Sequence, residues 1–130
     1  MTNKEIELKA VREVIKYEHD IRRKKAKAVK QGKGYDIISR GRCIEVKGTR
    51  KKNPRWVSFQ HNCFEALQKE KSYFVYIVKI LKAGQPEFYV IPRKDVIKHL
   101  RLKWSWELKL PVKEMQKWNI LKQHKNRKKR

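Results

Sequence analysis

The sequence predicts an α/β fold in which helices flank a mixed central sheet, and three observations carry that prediction. Residues 4–23 repeat apolar side chains with the period of a helix: Ala10, Val11, Val14, Ile15 and Ile21 fall on one face. Residues 35–39 and 42–46 read as two strands of a hairpin turned at Arg40-Gly41. Residues 73–81, Tyr-Phe-Val-Tyr-Ile-Val-Lys-Ile-Leu, form the most apolar run of the chain and read as a central strand.

The remaining elements follow in order. The first helix carries two glutamates, Glu7 and Glu18, near the centre of its apolar stripe, with Glu13 at the margin. A carboxylate facing inward is costly unless a cation or a metal meets it. The alternative is that each sits at an end of the stripe and reaches solvent or a lysine. Residues 22–30 are mostly basic, with room for a short first strand, and Gly32 and Gly34 mark a turn. After the hairpin, residues 48–55 make a basic loop and Trp56-Val57-Ser58-Phe59 a short strand. Residues 60–71 suit a second helix with Phe64, Ala66 and Leu67 inside. A turn at residues 83–86 precedes a return strand over 87–91 and a short helix over about 95–102. Trp104 and Trp106 have strand-like spacing, and residues 122–130 are a basic tail without core residues. The expected organisation is one domain over 1–121 followed by that tail, the usual size for a single core.

Charge is the strongest compositional signal. The 130 residues hold 36 Lys and Arg against 13 Asp and Glu, a formal net charge of +23. Such an excess repels itself in a compact fold and so points to a polyanionic partner, nucleic acid first. No apolar run is long enough to span a bilayer, and the start of the chain does not read as a secretory leader. Two cysteines, Cys43 and Cys63, are too few for a disulfide framework, and no Cys/His set has zinc spacing. A reducing, intracellular (cytoplasmic) setting without membrane association is the expectation. His19, His61, His99 and His124 are scattered and nominate no general base.

The chemistry concentrates in Gly34-Tyr35-Asp36 and Ile44-Glu45-Val46-Lys47-Gly48. Side chains alternate across a strand, so Glu45 and Lys47 share one face while Ile44 and Val46 enter the core on the other. Two carboxylates and an ammonium brought together by adjacent strands can hold a divalent cation and activate a water. The plainer reading of Glu45 and Lys47 is a surface ion pair worth at most ~1 kcal/mol. Asp36, the inward glutamates and the charge of the chain weigh against it.

The order helix, hairpin with Asp then Glu-x-Lys, strand, helix, strand resembles the PD-(D/E)xK nuclease superfamily, with its restriction-endonuclease-like fold. Within it the chain is similar to the NO VEIN C-terminal type of domain. The resemblance rests on residues 10–18 (Ala-Val-Arg-Glu-Val-Ile-Lys-Tyr-Glu), Gly34-Tyr35-Asp36-Ile37, Ile44-Glu45-Val46-Lys47-Gly48, the helix opening near Asn62, and Tyr73-Phe74-Val75-Tyr76-Ile77-Val78. Two departures stand out. Asn62-Cys63-Phe64 replaces an Asn-Glu-Trp-like step, and Tyr35 precedes the aspartate where the superfamily's name has proline.

The resemblance implies a metal-dependent DNA endonuclease. Asp36 and Glu45 would ligate Mg²⁺ or Mn²⁺, and Lys47 would orient the water or stabilise the transition state. A helix-one glutamate would complete the site: Glu7 by position, with Glu18 the alternate. Gln60 would position the phosphate or the lysine. Lys33, Arg40, Arg42, Arg50, Lys51, Lys52 and Arg55 are the candidate contacts to the phosphate backbone. A homodimer would let such a domain cut both strands. The competing reading is a non-catalytic nucleic-acid-binding module with the same fold. A basic ribosome-associated protein explains the charge but not the convergence of Asp36, Glu45 and Lys47.

Overall fold

The computed structural model describes residues 1–82, 84–102 and 106–120. Ala83 of the predicted turn, Trp104 and the basic tail with His124 lie outside them. The elements run α1 (Asn3–Asp20), β1 (Ala26–Ala28), β2 (Ile37–Ser39), β3 (Arg42–Thr49), β4 (Trp56–Ser58), α2 (His61–Lys69), β5 (Tyr73–Lys79), β6 (Glu87–Pro92), α3 (Arg93–His99), β7 (Leu100–Leu102), β8 (Trp106–Lys109) and α4 (Val112–Trp118). This is the mixed α/β architecture expected from the sequence.

Helix α1 starts on a complete capping box. Thr2 accepts from the Glu5 amide at 3.2 Å and Glu5 accepts from the Thr2 amide at 3.1 Å, satisfying two N-terminal donors reciprocally. The hairpin between β2 and β3 has the two-residue turn that Arg40-Gly41 suggests. Both residues have positive φ, 49° and 75°. That is the twist a tight hairpin requires, and Gly41 supplies it at no steric cost.

Two sheets result. Five strands lie in the order β1-β2-β3-β5-β6, antiparallel except for the parallel pair β3–β5, and β4-β8-β7 form a smaller antiparallel sheet. The main sheet is covered on both faces. Ile6, Ala10, Val14 and Tyr17 of α1 pack on Ile37, Ile44, Val46, Tyr76 and Val78. On the other face Cys43, Tyr73, Val75, Ile77 and Ile91 meet Cys63 and Leu67 of α2, Val96 of α3, Leu108 of β8 and Trp118 of α4. β3 is therefore sandwiched, which makes the alternation along it decisive. Ile44 and Val46 face α1, and Glu45 and Lys47 face the α2 side.

The C-terminal part differs from the sequence expectation. The helix expected over 95–102 ends at His99, and Leu100–Leu102 instead pairs with β8. The strand-like spacing read at Trp104 and Trp106 meets β8 at Trp106, whereas β7 and α4 were not expected, because both are short and are held by tertiary packing rather than by local pattern. Among the described residues no helix is long and apolar enough to cross a membrane.

Candidate active site

Asp36 stands just before β2, where its amide donates to the Ile44 carbonyl at 2.8 Å and its carbonyl accepts from the Val29 amide at 2.9 Å. The chain is thereby pinned between β1 and β3, and the side chain turns across to β3. There Asp36 Oδ2 accepts from the Val46 amide at 2.7 Å. Glu45 and Lys47 project from the same strand. Lys47 Nζ lies 3.1 Å from Glu45 Oε2, and the Cys63 thiol of α2 donates to the same oxygen at 3.3 Å. Glu45 is only 6% exposed, so the pair is enclosed and is not the surface ion pair of the plainer reading.

These groups line one cleft of roughly 370 Å³, whose wall also includes Glu7 and Val11 of α1, Gln31, Gly32 and Gly34 of the β1–β2 loop, and Gln60 and Asn62 at the head of α2. Five sequence-nominated residues, Glu7, Asp36, Glu45, Lys47 and Gln60, thus meet at one place. Glu7, expected to face inward, is exposed and borders the opening. Gln60 is the exposed N-cap residue of α2 and makes no side-chain capping bond.

Two nominated residues are elsewhere. Glu18 is fully buried, accepts from Arg42 and from the Tyr76 hydroxyl at 3.1 Å, and forms an ion pair with Arg22 at 3.6 Å. It stands outside the cleft because it meets the sheet beside the hairpin, where Arg42 satisfies it. Arg42 in turn does not offer its guanidinium to a phosphate backbone. It is 8% exposed, held between Glu18, Tyr76 at 2.8 Å and the Phe74 ring at 4.3 Å. The other nominated cations are exposed. Lys33 sits between the two cleft-lining glycines, Arg40 is in the hairpin turn, and Lys52 is in the loop before β4. Arg50 and Lys51 line a neighbouring cleft that shares Glu7 with the first. Arg55 borders a separate cavity beside Lys79.

Sequence reasoning did not nominate Gln31, Asn62 or Cys63. Cys63 was visible only as a departure from a family pattern, and a lone polar residue in a turn or a helix head carries no periodic signal.

The electrostatics follow from enclosure. Burial pushes the Glu45 carboxyl up to about 8; the Lys47 ammonium opposes this and neighbouring Asp36 reinforces it. For Lys47, burial pulls downward, but Glu45, Cys63 and Asp36 outweigh it and the ammonium is held above its usual range. Burial, then Glu45, pushes the Cys63 thiol up to about 12, so it remains a neutral donor. Burial likewise raises Tyr73, whose hydroxyl donates to the Gly34 carbonyl at 2.7 Å and ties the loop to the sheet.

The raised Glu45 predicts a pH effect. In the unfolded chain this carboxyl releases its proton near 4.5, in the fold near 8. Between those values the native state binds more protons, so this group's contribution to stability falls as pH rises through the interval. Urea unfolding of metal-free protein at about pH 5 and about pH 8 should show Glu45→Gln gaining on the wild type at the higher pH. An unchanged difference between the two proteins would contradict the assignment.

The loop that closes the cleft depends on one glycine. Gly34 has φ of 85°, and a Cβ there would stand 2.1 Å from the Asn62 carbonyl oxygen and 2.7 Å from Ala66 Cβ. Gly34→Ala combines a strained conformation with a collision against backbone, and is expected to cost about 3 kcal/mol or more in denaturant unfolding.

The fold and the cleft define a small α/β domain with paired carboxylates and a lysine set in a strongly basic chain. The chain belongs to the family described as Protein NO VEIN, C-terminal, which it matches over residues 6–91. All five cleft residues named above fall inside that span. No curated protein and no solved structure matches the chain.

Proposed function

We propose that this domain is a metal-dependent phosphodiesterase acting on nucleic acid, DNA foremost, with the site organisation of the PD-(D/E)xK nucleases. The observation that carries the reading is the shared cleft: Glu7, Asp36, Glu45, Lys47 and Gln60 line one cavity in a chain of net charge +23.

The donor set suits a hard divalent cation. Glu7, Asp36 and Glu45 supply carboxylate oxygens, and Gln60 an amide oxygen. Among the described residues no three His, Cys, Asp or Glu side chains already form a metal-holding group. The reading therefore rests on Asp36 and Glu45, the two carboxylates that interact electrostatically inside the cleft, with Glu7 at its border. Asp36 Oδ2 is engaged by the Val46 amide, which fixes the carboxylate's direction. Mg²⁺ or Mn²⁺ bound there would acidify a water and offset charge on the scissile phosphate. Lys47 supplies a fixed ammonium at the floor of the cleft, placed to stabilise the negative charge that develops on a phosphate or to orient the attacking water. Gln60 orients what enters from the α2 side. Glu45, neutral over much of the physiological range without a cation, is expected to release its proton when one arrives.

The second reading, a binding module that does not cut, is favoured by one observation: Glu45 Oε2 is already engaged by both Lys47 and Cys63. Asp36→Asn separates the two. Asparagine keeps an acceptor for the Val46 amide while removing the charge. Wild type and Asp36→Asn are compared for Mg²⁺- and Mn²⁺-dependent cleavage of single-stranded, duplex and branched DNA and of RNA. Metal-dependent cutting lost in the variant supports hydrolysis at this site. Binding without cutting on every substrate favours the module.

A further inference from the structure

We propose that a second groove, between α1 and β1, is a docking track for a nucleic-acid phosphate backbone. It rests on the nucleic-acid part of the reading above and not on hydrolysis. The groove measures roughly 500 Å³ and is lined by Arg12, Ile15, Lys16 and His19 of α1 and by Lys25, Ala26 and Lys27 at β1, with Asp20 at the helix end.

The charges are arranged for a repeating anion. Arg12 and Lys16 are one helical turn apart, about 5–6 Å between Cβ atoms. Lys25 and Lys27 are two residues apart on an extended segment, about 6–7 Å. Two consecutive elements, α1 and β1, thus present rows of cations with similar spacing, one on each wall. All four side chains are exposed, and none forms an ion pair among the described residues. The single carboxylate on the groove, Asp20, is engaged by His19 at 3.0 Å. Elsewhere cations that meet structural needs have partners: Arg42 and Arg22 pair with Glu18, and Lys47 with Glu45.

Lysines on an edge strand also resist edge-to-edge pairing, and β1 is an edge strand. That need does not extend to Arg12 and Lys16 on the facing helix. A membrane surface fits the geometry poorly. Ile15 and Ala26 are partly buried and pack against the α1-side core, so they do not project past the cations toward acyl chains. The groove also lies beside the cleft. Val11 borders the cleft and Arg12 the groove, while the chain leaving Lys27 reaches the cleft wall at Gln31. A strand held in the groove leads along the α1–β1 seam toward Asp36.

The test is a salt titration of oligonucleotide binding by fluorescence anisotropy, in EDTA so that hydrolysis plays no part. The quadruple variant Arg12→Gln/Lys16→Gln/Lys25→Gln/Lys27→Gln is compared with a charge-matched control, Lys94→Gln/Lys98→Gln/Lys109→Gln/Lys113→Gln, whose lysines are exposed on α3, β8 and α4. The groove variant should flatten the slope of log K against log salt by about 3 to 3.5, four contacts at about 0.7 to 0.9 each, and the control by less than about 1. Equal losses in the two variants would overturn the groove. So would unchanged oligonucleotide binding combined with lost binding to vesicles of anionic phospholipid. Arg12→Gln/Lys16→Gln alone, on the exposed side of α1, should show about half the change and serves if the quadruple variant melts early.

Discussion

Lys47→Ala is expected to lower metal-dependent cleavage by about 10³-fold, the scale of losing one preorganised charge aimed at a transition state, while leaving the fold intact. The stability half of that expectation comes from its neighbours. The lysine is largely enclosed, its side chain 16% exposed and 3.1 Å from Glu45. Removing a buried partner ordinarily strands a charge. Here Glu45 already holds its proton to about 8, and the Lys47 ammonium is what opposes that upward push. Without the ammonium, Glu45 simply stays neutral and continues to accept from Cys63. A variant that loses cleavage but keeps its unfolding midpoint, and binds oligonucleotide in EDTA nearly as before, assigns Lys47 to the chemistry. Loss of cleavage accompanied by collapse of the fold would assign it to structure, and wild-type cleavage would remove it from the mechanism. Lys47→Arg refines the result. It keeps the charge but widens the head group, so it should restore little activity in a cleft where the ammonium is held between Glu45 and the α2 side.

The parts of this site that are legible in the sequence are those set by local rules. Period-two alternation places Glu45 and Lys47 on one face of β3, and the Arg40-Gly41 turn fixes the register that pairs Ile37 with Ile44 and so carries Asp36, one residue earlier, alongside β3. Both depend only on residues a few positions apart. What the helical wheel supplied for α1 was direction around the axis, not the neighbour met in that direction. Glu7 and Glu18 looked equivalent on that basis. In the fold Glu7 borders the cleft near the start of the helix, whereas Glu18, three turns on, meets the hairpin. Arg42 was indistinguishable from Arg40 in the sequence, yet one is buried in an ion pair and the other is exposed in the turn. Pairings across 24 residues, such as Arg42 with Glu18, leave no trace in periodicity. The same holds for β7 and α4, short segments whose form is decided by what they pack against. The groove cations Arg12 and Lys16 read as an ordinary solvated helix face until β1 brought Lys25 and Lys27 opposite them.

The buried pair yields the largest stability effect. Arg42→Ala is expected to cost about 3–5 kcal/mol, because it leaves Glu18 enclosed without its main cation. Three features of the site support the upper part of that range. Glu18 has no exposure at all, so water cannot replace the guanidinium. Arg22, the remaining cation, is 3.6 Å away through a side chain that is 32% exposed, so its compensation is partial. The Arg42 guanidinium also stacks 4.3 Å above Phe74 and donates to Tyr76, and both contacts vanish with it. Glu18→Ala strands Arg42 instead and should cost a similar amount. The double variant Glu18→Leu/Arg42→Met tests the physical account rather than the residue's importance. Two apolar side chains of similar length remove both desolvation penalties together, so the pair should recover most of the loss, leaving Tyr76 to seek a new partner. Urea unfolding of the two single variants and the double one closes the cycle. Strict additivity would mean that the charges act independently, contrary to their geometry. Cleavage provides the second readout. Glu18 and Arg42 lie outside the cleft, so the double variant, once folded, should cut as the wild type does. A loss of cleavage in that folded variant would return Glu18 to the site.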